Sequence, residues 1–201
     1  MNFNLVCYLN SALQQLYNIP KFRHAILFGK ENENVDSSQR VLYQLQNIFS
    51  NLLMSEKSYT NAKTFCSNFF DFDGLPVNIN EQKDSFEFIS LLFDKLEDQI
   101  QEKDRDFIKN IFAGKLKYQI VSKECTHISS REELFFSLSV PVKNKKDLSE
   151  GLSSFFQSEL LEGENSYFCE SCNKKVSATK ETKILQTPDH LIIVLKRFEY
   201  N

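Results

Sequence analysis

The hydrophobic period changes once along this chain of 201 residues, and that change limits its fold more than any other feature of the sequence. Before about residue 112, apolar residues recur at intervals of three and four. Leu9, Ala12, Leu13 and Leu16 predict a short helix over about 7–17, with Pro20 beyond its end. Val41, Leu42, Leu45, Ile48, Phe49, Leu52 and Leu53 predict a strongly amphipathic one. Two more segments follow, about 60–70 with Phe65, Phe69 and Phe70, and about 81–101 with Phe88, Leu91, Leu92, Leu96 and Ile100. Asp94, Lys95, Glu97 and Asp98 give the latter a solvated outer face.

The period then drops to two. Leu116, Tyr118 and Ile120, and later Phe136, Leu138, Val140 and Val142, alternate with polar residues as half-buried strands do. Asp147 and Glu150 have capping-box spacing around Leu148, Leu152, Phe155 and Phe156, so a short helix returns there. Residues 191–195 are apolar without a break, as in a strand covered on both faces. The expected class is α+β: a helical region over 1–112, a β-rich region over 113–187, and the first strand of another sheet in 188–201. The polar stretch 30–38 reads as a flexible connection, and no internal repeat is present.

Composition narrows the function. A net charge of −3 lacks the basic face that a nucleic-acid groove needs. No apolar run approaches the roughly 20 residues of a membrane span. The start, MNFNLVCYLN, has neither the basic opening nor the small-residue cleavage site of a signal peptide. Five cysteines are an odd number for a disulfide framework, and a reducing compartment, cytoplasm or nucleus, is the expected home.

Three groups of residues could carry chemistry. Cys7 sits where the first helix begins, and a helix N-terminus lowers a thiol's pKa through its dipole and unpaired N–H groups. Asn2 could offer its amide to an oxyanion forming on a carbonyl that Cys7 attacks. The alternative is that Cys7 is a small core hydrophobe. Asp84 and Glu87, three apart on a helix, are either solvated charge or an acidic face for a basic peptide. Cys169-Glu-Ser-Cys172 is half a zinc site or a redox pair; a structural zinc needs more ligands, for which Cys125 and His127 are the upstream candidates.

Taken in order, these segments resemble the ubiquitin-specific proteases, a papain-like family of cysteine deubiquitinases. Asn2 through Leu16 is similar to the family's cysteine box, N-x-G-x-T-C-Y-M-N-S-x-x-Q-x-L, with Asn4 at the family Gly and Val6 at the Thr before the nucleophile. Glu81-Gln82-Lys83-Asp84-Ser85-Phe86-Glu87-Phe88 is similar to its Q-Q-D-x-x-E-F segment, with Lys83 at the second Gln. The cysteine pair follows, with Ser122 at the place of one finger Cys, and Leu191 through Phe198 looks like the palm strand L-x-x-x-L-K-R-F. The resemblance covers nearly the whole chain and is strongest to the branch of large ubiquitin-specific proteases.

It implies a helical thumb over 1–112, β-rich fingers over 113–187 and the opening of a palm sheet in 188–201. Cys7 inherits the role of nucleophile and Asn2 that of oxyanion donor, while Asp84 and Glu87 would meet arginines in ubiquitin's C-terminal tail. Cys125, Cys169 and Cys172 would hold a structural zinc, with His127 as a possible fourth ligand; a finger tip without metal is the alternative. Catalysis itself requires no cofactor. The partners implied are ubiquitin and ubiquitinated proteins. The family's catalytic His and its Asp or Asn partner lie beyond the palm strand, so His24, His127 and His190 inherit no role as base. The chain alone is therefore expected to be inactive, either as a piece of a longer enzyme or as a truncated homologue that binds ubiquitin. A zinc-ribbon interaction protein with Cys7 in its core is a third reading.

Overall fold

The structure is a computed structural model that describes residues 5–33, 35, 40–57 and 59–197. It is a mixed α+β chain of two compact units, 1–111 and 112–201.

The first unit is helical: α1 (Cys7–Tyr17), α2 (Pro20–Phe28), α3 (Val41–Met54), α4 (Lys63–Asn68), α5 (Ser85–Gln99) and α6 (Phe107–Phe112), the last ending at the start of the second unit. The apolar stripes meet as their spacing requires: Leu9, Leu13 and Leu16 of α1, Leu42, Leu45 and Phe49 of α3, and Phe88, Leu92 and Leu96 of α5 are all buried. Phe22 joins the layers through ring contacts with Phe49, Phe93 and Phe107. The helix α2 was not evident from the sequence, where Pro20 reads as a stop. Pro20 also occupies the first turn of a new helix, where its missing N–H costs nothing, and Phe22 and Ile26 bury its inner face. Of the polar stretch 30–38, residues 34 and 36–38 lie outside the described set. Glu31 forms a β-bridge with Ile100, and Asn32 N–H donates to the Gln99 carbonyl at 2.8 Å.

The second unit holds β1 (Gly114–Ser122), β2 (Ile128–Phe135), β3 (Ser137–Pro141), α7 (Leu148–Phe155), β4 (Glu159–Leu161), β5 (Tyr167–Cys169), β6 (Lys174–Val176), β7 (Ala178–Gln186) and β8 (Ile192–Lys196). The order β2-β1-β7-β4 makes an antiparallel sheet; β5 and β6 form a hairpin, and β3 pairs with β8 in parallel. Leu116, Phe135, Leu138 and Val140 centre a core against Leu152, Phe155 and Phe156.

Two expectations need correction. Phe136, assigned to the buried alternation, lies just outside β3 and is exposed. The run 191–195 is not covered on both faces: Leu191 and Leu195 are 40% and 38% exposed and the residues between are half-buried. Among the described residues β8 has only β3 beside it, and an apolar run supplies no second layer by itself.

Candidate functional site

Cys7 is the first residue of α1 and is half-buried, while Val6, Tyr8 and Leu9 around it are buried. The chain enters this turn tethered, since Leu5 N–H donates to the Ile79 carbonyl at 2.8 Å. Tyr8 packs edge-on against Phe88 of α5, ring centroids 6.0 Å apart, which fixes the helix that carries the sulfur. Burial, and then proximity to Cys66, pushes the Tyr8 hydroxyl above its ordinary pKa.

Tyr8 also lines a cavity of about 220 Å³ with Phe69, Val77 and Phe88; Asp71, Lys83 and Glu87 supply its charged wall. Glu87 thus shares a cavity lining with the residue that follows Cys7. Asp84 has a different task. It is the N-cap of α5 and accepts the backbone N–H of Phe86 at 2.6 Å and of Glu87 at 3.4 Å. Lys83 ion-pairs with Asp71 across the cavity wall. Burial favours the neutral Asp71 carboxyl, but the Lys83 hydrogen bond and the Phe72 N–H outweigh it, and the net shift is downward.

Asn2 lies outside the described residues. His24 stacks on Phe28 with centroids 4.6 Å apart, His127 meets Ser171, and His190 packs against Phe112.

In the second unit, residues 44 apart in sequence converge. The sulfurs of Cys125, Cys169 and Cys172 lie within 4.8 Å of one another, with Cys125 and Cys169 3.7 Å apart. Cys125 follows β1, Cys169 ends β5, and Cys172 sits in the β5–β6 turn, where Asn173 takes φ +52°. Glu124 clasps the two turns together, accepting from Lys174 Nζ at 2.9 Å and from Ser177 N–H at 3.0 Å. Ser122 accepts the N–H groups of Glu124 and Cys125, both at 3.2 Å. Its hydroxyl, the His127 backbone and Cys172 bring the Cys125 thiol down to about 7.

A tetrahedron with zinc–sulfur bonds of about 2.3 Å has edges of about 3.8 Å; the 3.7 Å between Cys125 and Cys169 matches one such edge, and the Cys172 sulfur lies within 4.8 Å of both. His127 is placed elsewhere: its Nδ1 lies 2.8 Å from Ser171 Oγ, and it is not among the donors gathered within 4.8 Å. The His127 imidazole is thus engaged by Ser171, which stands between Cys169 and Cys172 in sequence. The Ser122 oxygen is taken up by the two N–H groups it accepts.

Residues 1–201 match the profile of the family described as ubiquitin carboxyl-terminal hydrolase. Ubiquitin carboxyl-terminal hydrolase 34 of Homo sapiens is 34% identical over 200 residues, covering 100% of this chain and 6% of that protein. Ubiquitin carboxyl-terminal hydrolase 24 of Homo sapiens is 34% identical over 202 residues, again covering 100% of this chain and 8% of the relative. Ubiquitin carboxyl-terminal hydrolase puf of Drosophila melanogaster is 34% identical over 200 residues, 100% of this chain and 5% of the relative. The chain therefore spans a small fraction of each relative's length.

Proposed function

The chain belongs to the ubiquitin carboxyl-terminal hydrolase family, and from that membership we propose that it is part of the catalytic domain of a cysteine-dependent deubiquitinase with Cys7 as nucleophile. Residues 1–112 are its thumb, 113–187 its fingers and 188–201 its first palm strand. The observation that supports this reading is the half-buried Cys7 at the first turn of α1, followed by Tyr8, which lines a cavity with Glu87. A half-buried sulfur can meet a carbonyl, whereas a sealed one could not.

The Cys7 thiolate attacks the carbonyl of ubiquitin's terminal glycine, and the Asn2 amide donates to the oxyanion. The carbon–nitrogen bond breaks as the departing amine takes a proton, leaving a thioester. Water then adds, releasing the ubiquitin carboxylate and returning the thiol. Glu87 and Asp84 face the basic tail; Asp84 does so with the carboxylate whose other duty is to cap α5. Partners are ubiquitin and ubiquitinated proteins, met in the cytoplasm or nucleus.

Cys125, Cys169 and Cys172 would hold a zinc ion through three thiolates. Bound there, zinc supplies a cross-link between the turn after β1 and the β5–β6 turn and takes no part in the cleavage.

Proton removal from Cys7 needs an imidazole, and the family resemblance assigns that role to none of His24, His127 and His190, so these 201 residues alone are expected to turn over conjugates little or not at all. The same observation favours a second reading, a ubiquitin-binding module without catalysis. Titration of the chain with ubiquitin, and with ubiquitin carrying a C-terminal electrophile, tests both. Saturable binding with an adduct lost in Cys7→Ala supports the enzyme; binding with no adduct favours the module; no binding overturns both.

A further inference from the structure

Lys83 has no part in the role proposed for its neighbours. Its ammonium pairs with Asp71, and both side chains are largely withdrawn from water, 27% and 15% exposed. Burial disfavours a charged Asp71, but the Lys83 hydrogen bond, the Phe72 N–H and the nearby lysine charges together outweigh it, and Asp71 in turn raises Lys83, with Glu81 and Asp73 adding to the effect. A partly desolvated pair is costly to break one-sidedly, because the survivor keeps its desolvation cost without its partner.

The pair joins two elements that border one cavity. Asp71 belongs to a short hairpin between α4 and α5. Val77 N–H donates to the Phe69 carbonyl at 3.0 Å, Asp71 N–H to Leu75 at 2.8 Å, and Phe70 and Pro76 form an antiparallel bridge. Gly74, at φ +75°, turns its tip. The hairpin's root is anchored by Phe69, which stacks on Phe65 and meets Phe88. Beyond the root it leaves Phe72 and Leu75 in solvent, 71% and 61% exposed. On the opposite side of the cavity stand Tyr8, Glu87 and Phe88. Lys83, just ahead of α5, is the side chain that ties the outer wall to the inner one.

We propose that the Asp71–Lys83 ion pair is a positioning latch that holds the 69–77 hairpin as a wall of the cavity lined by Tyr8 and Glu87, shaping it for a basic tail with an apolar side chain. The charge arrangement agrees. Lys83 neutralises Asp71, so Asp73 and Glu87 remain as the carboxylates lining the cavity, while Phe69, Val77 and Phe88 offer an apolar floor. Preorganising such a wall lowers the ordering cost of binding without adding a contact. The latch rests on the ubiquitin-tail role proposed for Glu87 and adds the residues that keep its cavity in shape.

The test is a double-mutant cycle on the whole 201-residue chain, with Asp71→Asn, Lys83→Gln and both together, each titrated with ubiquitin and with ubiquitin lacking its C-terminal tail. Each single substitution is expected to weaken intact ubiquitin by about tenfold, in the range of ordinary coupling between sites. The double variant is expected to lose no more than either single one. Tail-less ubiquitin should bind all four chains alike, which a general loss of folding would not produce. Strictly additive losses, unchanged affinity in the single variants, or equal losses toward tail-less ubiquitin would each overturn the latch. Failure of the unsubstituted chain to bind ubiquitin at all would overturn the deubiquitinase reading, and the latch with it.

Discussion

Asp84 caps the helix on which Glu87 rides: its carboxylate accepts the Glu87 backbone N–H at 3.4 Å and that of Phe86 at 2.6 Å. Two acids three apart therefore do different work, one holding the first turn of α5 and the other standing at the wall of the cavity that Tyr8 lines.

Replacement of Asp84 should separate capping from charge. Asp84→Ala is expected to destabilise the chain by about 1 kcal/mol, the typical cost of a lost N-cap. Asp84→Ser restores an acceptor at that position and should recover most of the loss. The midpoint of urea unfolding measures both. Equal midpoints for Asp84→Ala and the unsubstituted chain would show that the cap contributes nothing.

Glu87→Gln should leave stability within about 0.5 kcal/mol, as for an exposed side chain whose backbone N–H is still capped. Ubiquitin affinity is expected to fall, and the difference from the unsubstituted chain to shrink at high salt. Isothermal titrations at low and high ionic strength read this directly; a difference that ignores salt would argue against an ionic contact.

Gly114 has no room for a side chain. An added Cβ would lie 2.4 Å from Phe135 Cε1 and 2.7 Å from the Gln186 carbonyl oxygen. Gly114→Ala should cost about 1–3 kcal/mol through overpacking, seen as an earlier urea midpoint; an unchanged midpoint would mean that Phe135 yields freely.

Metal analysis of the chain purified without chelator is expected to find one zinc, and chelation to lower its melting temperature. Cys169→Ser, which removes the buried sulfur of the cluster, should abolish both effects. Equal melting temperatures with and without chelator would place the sulfurs outside any structural metal site.

The Asp71–Lys83 pair should be indifferent to mild acid. Asp71 is held below its ordinary value of 3.8, so its contribution to stability is fully present above that value. It is lost only as pH falls further, through the lower folded-state value. The stability gap between the unsubstituted chain and Asp71→Asn should stay constant from about pH 8 to pH 5 and close below about pH 4. A gap that closes near pH 6 would contradict the depressed carboxyl.

Local order was the legible part. The three-and-four spacing of Leu9, Leu13 and Leu16, and of Leu42, Leu45 and Phe49, specified α1 and α3 because a helix puts such positions on one stripe. Alternation did the same for Leu138 and Val140 of β3. The spacing of Asp147 and Glu150 announced α7, and Asp147 does accept Glu150 N–H at 2.9 Å. The return bond differs from a capping box, since Glu150 accepts from Lys146 N–H, one residue earlier than the N-cap. The cysteine box singles out Cys7, but that the residue is half-buried at the first turn of α1 is read only from the structure.

What the sequence determined by itself was where the chain coils, where it extends, and which residue types stand at each turn, since these follow from neighbours within about one helical turn or one strand. Only the tertiary structure decided the pairings between distant segments. Gln99 lends its side-chain oxygen to Leu42 N–H at 3.0 Å, supplying an acceptor in the first turn of α3 that the N-cap Arg40 does not provide. Cys125 finds Cys169, Lys83 finds Asp71, and β3 finds β8 for the same kind of reason. A buried donor, charge or strand edge must be satisfied by whatever group packing brings to it, and that partner is chosen by the whole fold.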